Sequence, residues 1–326
     1  MDMSMAIASP DARTLAVPAE AIHTFGPEAQ REIAARVAEL TAATAGRRID
    51  DLTDAEVGLD RMPRFRAEIE ATREIIDTRV HFIVYDRVEG VDSLRGQALY
   101  AWLLGSALGR PMVQNHQGWR FIEVYDRGNQ GTVEQGARYH QTKQGAHMHN
   151  DAVNDPEPID YLLLSCGQSA YLGGESILVD ARSVHETLKA YPEVLDVLTG
   201  DFWFEKRGMT TAEDGFFRSP VISYSPGGEA LVRYFRTYME GAHEKLGVPM
   251  DDRQRAALDF FDAVLDQSGV QYRIRLERGQ TLVSADDRFL HSRTAFVDRY
   301  EPREIDLDTD RPDRVNRYMF RMWSRK

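Results

Sequence analysis

His149 and Asp151 stand two residues apart in the stretch Gly145-Ala146-His147-Met148-His149-Asn150-Asp151. On an extended strand that spacing turns both side chains to one face, because strand side chains alternate with a period of two. A neutral imidazole and a carboxylate on one face are two parts of a 2-His-1-carboxylate facial triad, the open-sided arrangement that holds ferrous iron. Alone, a His-x-Asp triplet is equally a polar strand end or a turn. What the rest of the chain supplies decides between these.

A triad needs a second histidine from a distant strand. His291, in Phe289-Leu290-His291-Ser292-Arg293-Thr294-Ala295-Phe296, stands where the apolar run Thr281 to Ser284 gives way through Ala285-Asp286-Asp287-Arg288 to a polar segment. His140 and His147 lie near the first motif but break its spacing, and are read as supporting or structural. A ferrous site of this kind also takes a 2-oxo acid, whose far carboxylate suits the planar fork of an arginine. In the C-terminal run Arg317-Tyr318-Met319-Phe320-Arg321-Met322-Trp323, alternation puts Arg317, Met319, Arg321 and Trp323 on one face. Two arginines inside a core are costly unless each meets an anion. The alternative is an edge strand whose arginines snorkel to water.

Four motifs, His149-Asn150-Asp151, Gly173-Gly174-Glu175-Ser176, Leu290 to Phe296 and Arg317-x-x-x-Arg321, occur in an order that resembles the taurine dioxygenase/clavaminate synthase-like superfamily of Fe(II)/2-oxoglutarate oxygenases. The resemblance covers roughly residues 110–323. Around His149-Asn150-Asp151, Asp160-Tyr161-Leu162-Leu163 and Gly173-Gly174-Glu175-Ser176 the chain is also similar to the glutarate 2-hydroxylase branch. The resemblance implies Fe(II) bound by His149, Asp151 and His291, with 2-oxoglutarate filling two of the remaining positions and O2 the third. It places Ser176, where a Thr is usual, and Arg317 on the 2-oxoglutarate C5 carboxylate; a serine hydroxyl can donate the same bond. Arg321 would face the substrate. The implied reaction is hydroxylation of an unactivated C–H bond with release of succinate and CO2, and desaturation or cyclisation would use the same cofactors.

One departure from that pattern is the distance from His291 to Arg317, 26 residues, which is longer than usual. The excess is the charged segment 300–312, read as a solvated loop, with a lid or partner contact as alternatives. It leaves Arg299 and Arg303 as rival clamps. Asn115, Gln117, Tyr139 and Gln141 precede or neighbour the first ligand and are candidates to line the pocket with amides and an aromatic ring. With Arg321 they point to a small carboxylate or amino-acid-like substrate. The reading from another class is a non-catalytic jelly-roll binding protein.

Several elements must position these residues. Apolar residues at helical spacing predict helices over Pro27 to Ala45, Arg64 to Arg79, Val91 to Leu108, Ala181 to Leu198 and Asp251 to Gln267. Strand-like runs fall at His81 to Tyr85, Trp119 to Tyr125, Tyr161 to Ser165, Ser176 to Val179, Phe202 to Phe204, Pro220 to Tyr224, Ala230 to Tyr234, Gln271 to Leu276, Thr281 to Val283 and Arg317 to Trp323. Arg127-Gly128-Asn129-Gln130-Gly131 and Pro226-Gly227-Gly228 read as turns. Many short strands with glycine turns suggest a mainly β protein, with a double-stranded β-helix (jelly-roll, cupin-like) core and peripheral helices. The expected organisation is one domain over 1–326. It has a loose arm over 1–27, helical additions over 28–110, and a core over 111–326 with a helical insert about 235–268.

Composition bounds the rest. With 52 acidic against 40 basic residues the chain carries a formal charge of −12, which disfavours binding along a phosphate backbone. Cys166 is the single cysteine, so neither an intrachain disulfide nor a cysteine-built metal site is available, and its apolar setting reads as a buried small residue. The N-terminal stretch has no basic region followed by an apolar one, and no apolar run is long enough to span a bilayer. The expectation is a cytoplasmic protein acting on a small molecule, with no nucleic-acid or membrane partner, and with homo-oligomerisation left open.

Overall fold

The computed structural model describes residues 14–128, 139–206 and 215–326. Residues 1–13 of the expected arm and 129–131 of the expected glycine turn lie outside the described residues. From residue 14 onward the arm is held to the body, which corrects the expectation of a loose segment to residue 27. The Leu15 N–H donates to the Gln271 carbonyl at 2.8 Å, and strand β1 (Ile22–His23) pairs in parallel with β2 (Phe82–Tyr85). A two-residue strand is too short to show a period, so the sequence carried no sign of it.

Four helices build one side. Helix α1 (Pro27–Ala43) starts on a proline at its first turn and buries Ala29, Ile33, Val37 and Leu40, one face at helical spacing. Helix α2 (Asp54–Val57) is opened by a Thr53/Glu56 capping box. Helix α3 (Pro63–Thr78) buries Phe65, Ile69, Thr72 and Ile76. In α4 (Leu94–Leu108) the Ser93 hydroxyl caps the first turn, and almost every residue is buried. A helix apolar all round belongs between layers. Here α4 is sandwiched between α1 and α3 on one side and the sheet on the other.

The chain then runs through β3 (Arg110–Pro111), β4 (Phe121–Val124), β5 (Ala146–His149), β6 (Tyr161–Gln168), β7 (Leu172–Gly173) and β8 (Ser176–Asp180). The helix expected over Ala181 to Leu198 is two helices, α5 (Ala181–Leu188) and α6 (Pro192–Leu198). Pro192 has no N–H to continue the ladder and pushes Tyr191 out of helical geometry (φ −132°, ψ 67°), so the break falls just before it. Two hairpins follow, β9 (Asp201–Glu205) with β10 (Phe216–Pro220), and β11 (Ile222–Tyr224) with β12 (Ala230–Val232). Helices α7 (Arg236–Leu246) and α8 (Asp252–Leu265) come next, the second capped by Asp251. The last strands are β13 (Gln271–Ile274), β14 (Thr281–Ala285), β15 (Phe289–Arg293), β16 (Phe296–Val297) and β17 (Tyr318–Arg325).

Two sheets face each other. The larger runs β1-β2-β14-β6-β17-β3, with β4 also paired to β17; the smaller runs β13-β8-β15-β5. Between them pack Phe82, Val84, Ile122, Cys166, Leu178, Ile274, Leu282, Phe289 and Met319, contributed by both sheets. The outer face of the larger sheet carries Ile83, Leu163, Val283, Phe320 and Met322 against the N-terminal helices. Ile177, Val179 and Leu290 on the smaller sheet pack against α5 to α8. The alternating strands thus feed two cores each, and His149 and His291 lie on the smaller sheet while Arg321 and Trp323 reach the site from the larger. Among the described residues no helix is long and apolar enough to cross a membrane.

Candidate metal centre and substrate cleft

His149 ends β5 and His291 lies in the middle of β15, and the register of these two strands sets the residues directly opposite each other. Their rings lie 4.2 Å apart between centroids. Asp151 is not on the strand. The chain leaves β5 at His149 and turns, with Ala152 in left-handed geometry at φ 51°. This corrects the idea that simple strand alternation aligns the pair. The turn is locked by Asn150, whose amide donates to the Asp286 and Phe289 carbonyls and whose oxygen accepts from the Tyr234 N–H at 2.9 Å. His149 Nε2 and an Asp151 oxygen are then 3.7 Å apart. One ligand atom from each of His149, Asp151 and His291 falls within 4.8 Å of the others.

The donor set fits a divalent iron: two imidazoles and one carboxylate on one side, all buried. His149 Nδ1 lies 2.7 Å from the His147 carbonyl, which fixes the tautomer and leaves Nε2 free to ligate. Burial lowers the pKa of His149, and it brings His291 down to about 3 with help from His149 and Arg321, so both rings are neutral at pH 7. Burial opposes ionisation of Asp151, but the Arg321 guanidinium and the Trp323 indole N–H outweigh it and hold the carboxyl below its ordinary range. Deprotonated imidazoles and an ionised carboxylate are the forms that bind a metal. Trp323 Nε1 donates to Asp151 at 2.8 Å, and the Arg321 guanidinium sits 3.2 Å from the same group.

A second buried cation lies nearby. Arg317 is 5% exposed, its Nη1 has no hydrogen-bond partner, and burial lowers its pKa to about 10. It stacks over Phe296 at 5.1 Å. The Gly173-Gly174 turn, with both residues at positive φ, lets it in: a Cβ on Gly174 would come 3.0 Å from Arg317 Nε. Ser176 opens β8 two residues further on and is buried. An orphaned buried guanidinium beside a glycine cradle fits a dicarboxylate co-substrate. The rival arginines lie elsewhere. Arg303 is bound to Asp310 at the surface, and exposed Arg299 lies over Tyr171.

Arg321 also lines an open cleft of about 840 Å³, with Gln114, Asn115, Gln117, Trp119 and Gln141 on its walls. Tyr139 is half-buried and stacks on the His149 ring at 6.2 Å. Asn115 spends its oxygen capping a turn, accepting from Gln117 and Trp119 N–H groups. The charged segment 300–312 folds back and forms part of the wall. Asp308 pairs with buried Arg95 at 3.1 Å, and Ile305 and Leu307 pack on the helical core. Three residues at the site were missed from sequence: Gln114, which accepts from Arg321 Nε at 2.9 Å; Trp323, seen only as a face-mate; and Asn150. A polar residue between two ligands was the one available signal.

The geometry has counterparts. Residues 64–323 match the model of the taurine catabolism dioxygenase TauD, TfdA family. The chain belongs to that family. Among curated relatives, FR-33289 synthase of Streptomyces rubellomurinus (strain ATCC 31215) is 27% identical over 238 residues, covering 72% of this chain and 65% of that protein. Uridine-5'-phosphate dioxygenase of Amycolatopsis sp is 26% identical over 164 residues, covering 50% of this chain and 59% of that protein. The chain thus matches a little under two thirds of the length of either relative. This TauD, TfdA family member shares its fold with asparagine oxygenase, solved with Fe(II), 2S,3S-3-hydroxyasparagine and succinate (TM-score 0.67, 16% identity, 93% of each chain). It shares it equally with the non-haem iron oxygenase OrfP, solved with Fe and alpha-ketoglutaric acid (TM-score 0.66, 16% identity, 93% of this chain and 94% of that one).

Proposed function

We propose that this chain is an Fe(II)/2-oxoglutarate-dependent dioxygenase that hydroxylates an unactivated C–H bond of a small carboxylate or amino-acid-like substrate. Substrate, O2 and 2-oxoglutarate are consumed, and hydroxylated product, succinate and CO2 are released. The reading includes a double-stranded β-helix core within one domain. The observation that carries it is the convergence of His149, Asp151 and His291 within 4.8 Å, near a buried Arg317 whose Nη1 is unpartnered. One relative, uridine-5'-phosphate dioxygenase, and fold neighbours solved with hydroxyasparagine or hydroxyarginine support small polar substrates.

Iron held at these three residues would supply the activation of O2 coupled to oxidative decarboxylation of 2-oxoglutarate. The chain's own residues do the rest. His149 presents Nε2 because His147 occupies Nδ1. Trp323 and Arg321 fix the Asp151 carboxylate and keep it ionised. Arg317 and Ser176 receive the co-substrate's far carboxylate, and the Gly174 cradle leaves room for that arginine. Tyr139 and Phe235 wall the His149 ring and exclude water from its face.

His149→Ala or His291→Ala should abolish Fe(II) retention and 2-oxoglutarate-dependent succinate formation, with the circular dichroism spectrum unchanged. Near wild-type turnover by either purified, folded variant would remove the ligand assignment.

A further inference from the structure

Pairing between β5 and β15 stops at Ala146, which lies opposite Arg293, and the register shifts between that pair and the pair His149 and His291. Ahead of Ala146 the ladder does not continue, and the Arg293 side chain takes its place. Its guanidinium donates to the carbonyls of Tyr139 (3.4 Å), Thr142 (3.0 Å) and Gln144. The Nε has no acceptor and no carboxylate pairs with the group among the described residues, so every hydrogen bond of the guanidinium there goes to one segment, 139–144. A planar fork can address several carbonyls at once in fixed directions. The Phe296 ring backs it at 4.9 Å, and the Phe296 N–H donates to the Lys143 carbonyl at 3.1 Å. The segment's other edge is tied to the run after β4, where Tyr125 N–H donates to the His140 carbonyl and Arg127 N–H to the Gln141 carbonyl, each at 3.1 Å. Segment 139–144 therefore bridges the two sheets. It carries Tyr139, whose ring stacks on His149 at 6.2 Å beside Phe235 at 4.7 Å.

We propose that Arg293 is a positioning residue of the metal centre: it clamps segment 139–144 to the strand that carries His291, and so keeps the Tyr139 ring against His149. This rests on the iron-centre reading above and adds to it a residue that acts through Tyr139 rather than on the metal. The placement follows from register. Along β15, His291 lies opposite Leu178 and Arg293 opposite Ser176 without a break, so the ligand and the clamp leave the strand from one face. His149 stands across from His291 on β5, so one pair of strands holds both histidines and the arginine that seats the ring over one of them. A ring seated there keeps water and competing chelators from the His149 side of the centre. The clamp therefore governs how fast a bound metal leaves.

The test loads the full chain with Fe(II) under anaerobic conditions and follows release of the metal to a chromogenic chelator. Tyr139→Leu should speed release about tenfold, the scale on which lost outer partners of metal ligands act. Arg293→Gln should do the same, and the double variant should be no faster than either, because both changes remove one contact. Rates that multiply in the double variant would mean that Arg293 supports the fold at large and not Tyr139, and would overturn the proposal. So would an unchanged release rate in Arg293→Gln or in Tyr139→Leu. Arg293→Lys keeps the charge but not the fork and should release metal at a rate between those of the wild type and Arg293→Gln. It takes the glutamine variant's place in the cycle if that variant does not fold. A wild type that retains no Fe(II) removes the centre, and the role of Arg293 with it. A wild type that retains Fe(II), with variants that do not couple, removes the role of Arg293 alone.

Discussion

Asp151 sets the charge balance of the centre. It is a buried carboxylate facing two neutral imidazoles, and Arg321 answers its charge. Arg317 is the opposite case, a buried cation with no carboxylate within salt-bridge distance among the described residues. Arg317 stands just before β17 and Arg321 within it, and the difference between them is one of environment. Removing one partner of a buried charge pair costs about 3–5 kcal/mol. Arg317→Ala should therefore raise the 2-oxoglutarate concentration needed for half-maximal succinate formation on the order of a hundredfold or more. Arg303→Ala, at a surface pair with Asp310, should leave that concentration unchanged. A larger effect from Arg303 than from Arg317 would move the co-substrate site away from the Gly174 cradle.

At the level of elements, the centre is the end of β5 tied to the run that leads into β15. Asn150 binds the carbonyls of Asp286 and Phe289, just ahead of His291, and the Tyr234 backbone. Its side chain therefore fixes the spacing between the His149/Asp151 pair and His291. Asn150→Ala would strand three buried backbone groups, at about 1–3 kcal/mol for each one left unsatisfied. Metal affinity should fall about 10- to 100-fold, as it does when outer-shell partners of ligands are lost. Urea unfolding and competition with a chelator measure the two separately. Lost stability with unchanged affinity would make Asn150 a structural residue only. The same elements show what sequence could disclose. The α4 and α8 starts, narrowed from side-chain type to Asp92 or Ser93 and to Asp251 or Asp252, the Pro226-Gly227-Gly228 hairpin and the β17 alternation follow local rules, and the structure places the caps at Ser93 and Asp251. The end of β5 was not readable in this way, because long-range bonds through Asn150 terminate the strand. The docking of segment 300–312 was not either. Its anchor, Asp308 on Arg95, joins residues far apart in sequence and buries an arginine that looks exposed in a list of residues. The Pro192 break was readable and was passed over.

Over the whole molecule, burial between layers makes stability depend on pH through groups far from the centre. His81 sits at the entry to β2 in left-handed geometry, φ 59°, with Nδ1 2.7 Å from the Ile76 carbonyl and Nε2 unpartnered. Burial lowers its pKa, and Arg182 and Arg288 push the same way against the Ile76 carbonyl and Asp180. The native state thus resists a proton that the unfolded chain accepts near its ordinary value of about 6.5. The stability this contributes is fully present above that value and is lost as pH falls through it toward the native pKa. Buried Asp286 acts with the opposite sign. Burial and the nearby Asp151 raise its pKa, so the native state holds a proton that the unfolded chain releases, and its contribution is lost as pH rises. The two slopes offset each other in a single unfolding curve, and a difference between variants separates them. Asn tolerates left-handed geometry and does not titrate, so His81→Asn keeps the backbone and removes one site. The stability of the wild type minus that of His81→Asn, from urea unfolding at constant ionic strength, should fall between pH 7 and pH 5. Its slope should approach but not exceed about 1.4 kcal/mol per pH unit, the limit for one proton. A difference that stays flat over that window would mean His81 takes up its proton in the native state as readily as in the unfolded one, and that the layer around it admits water.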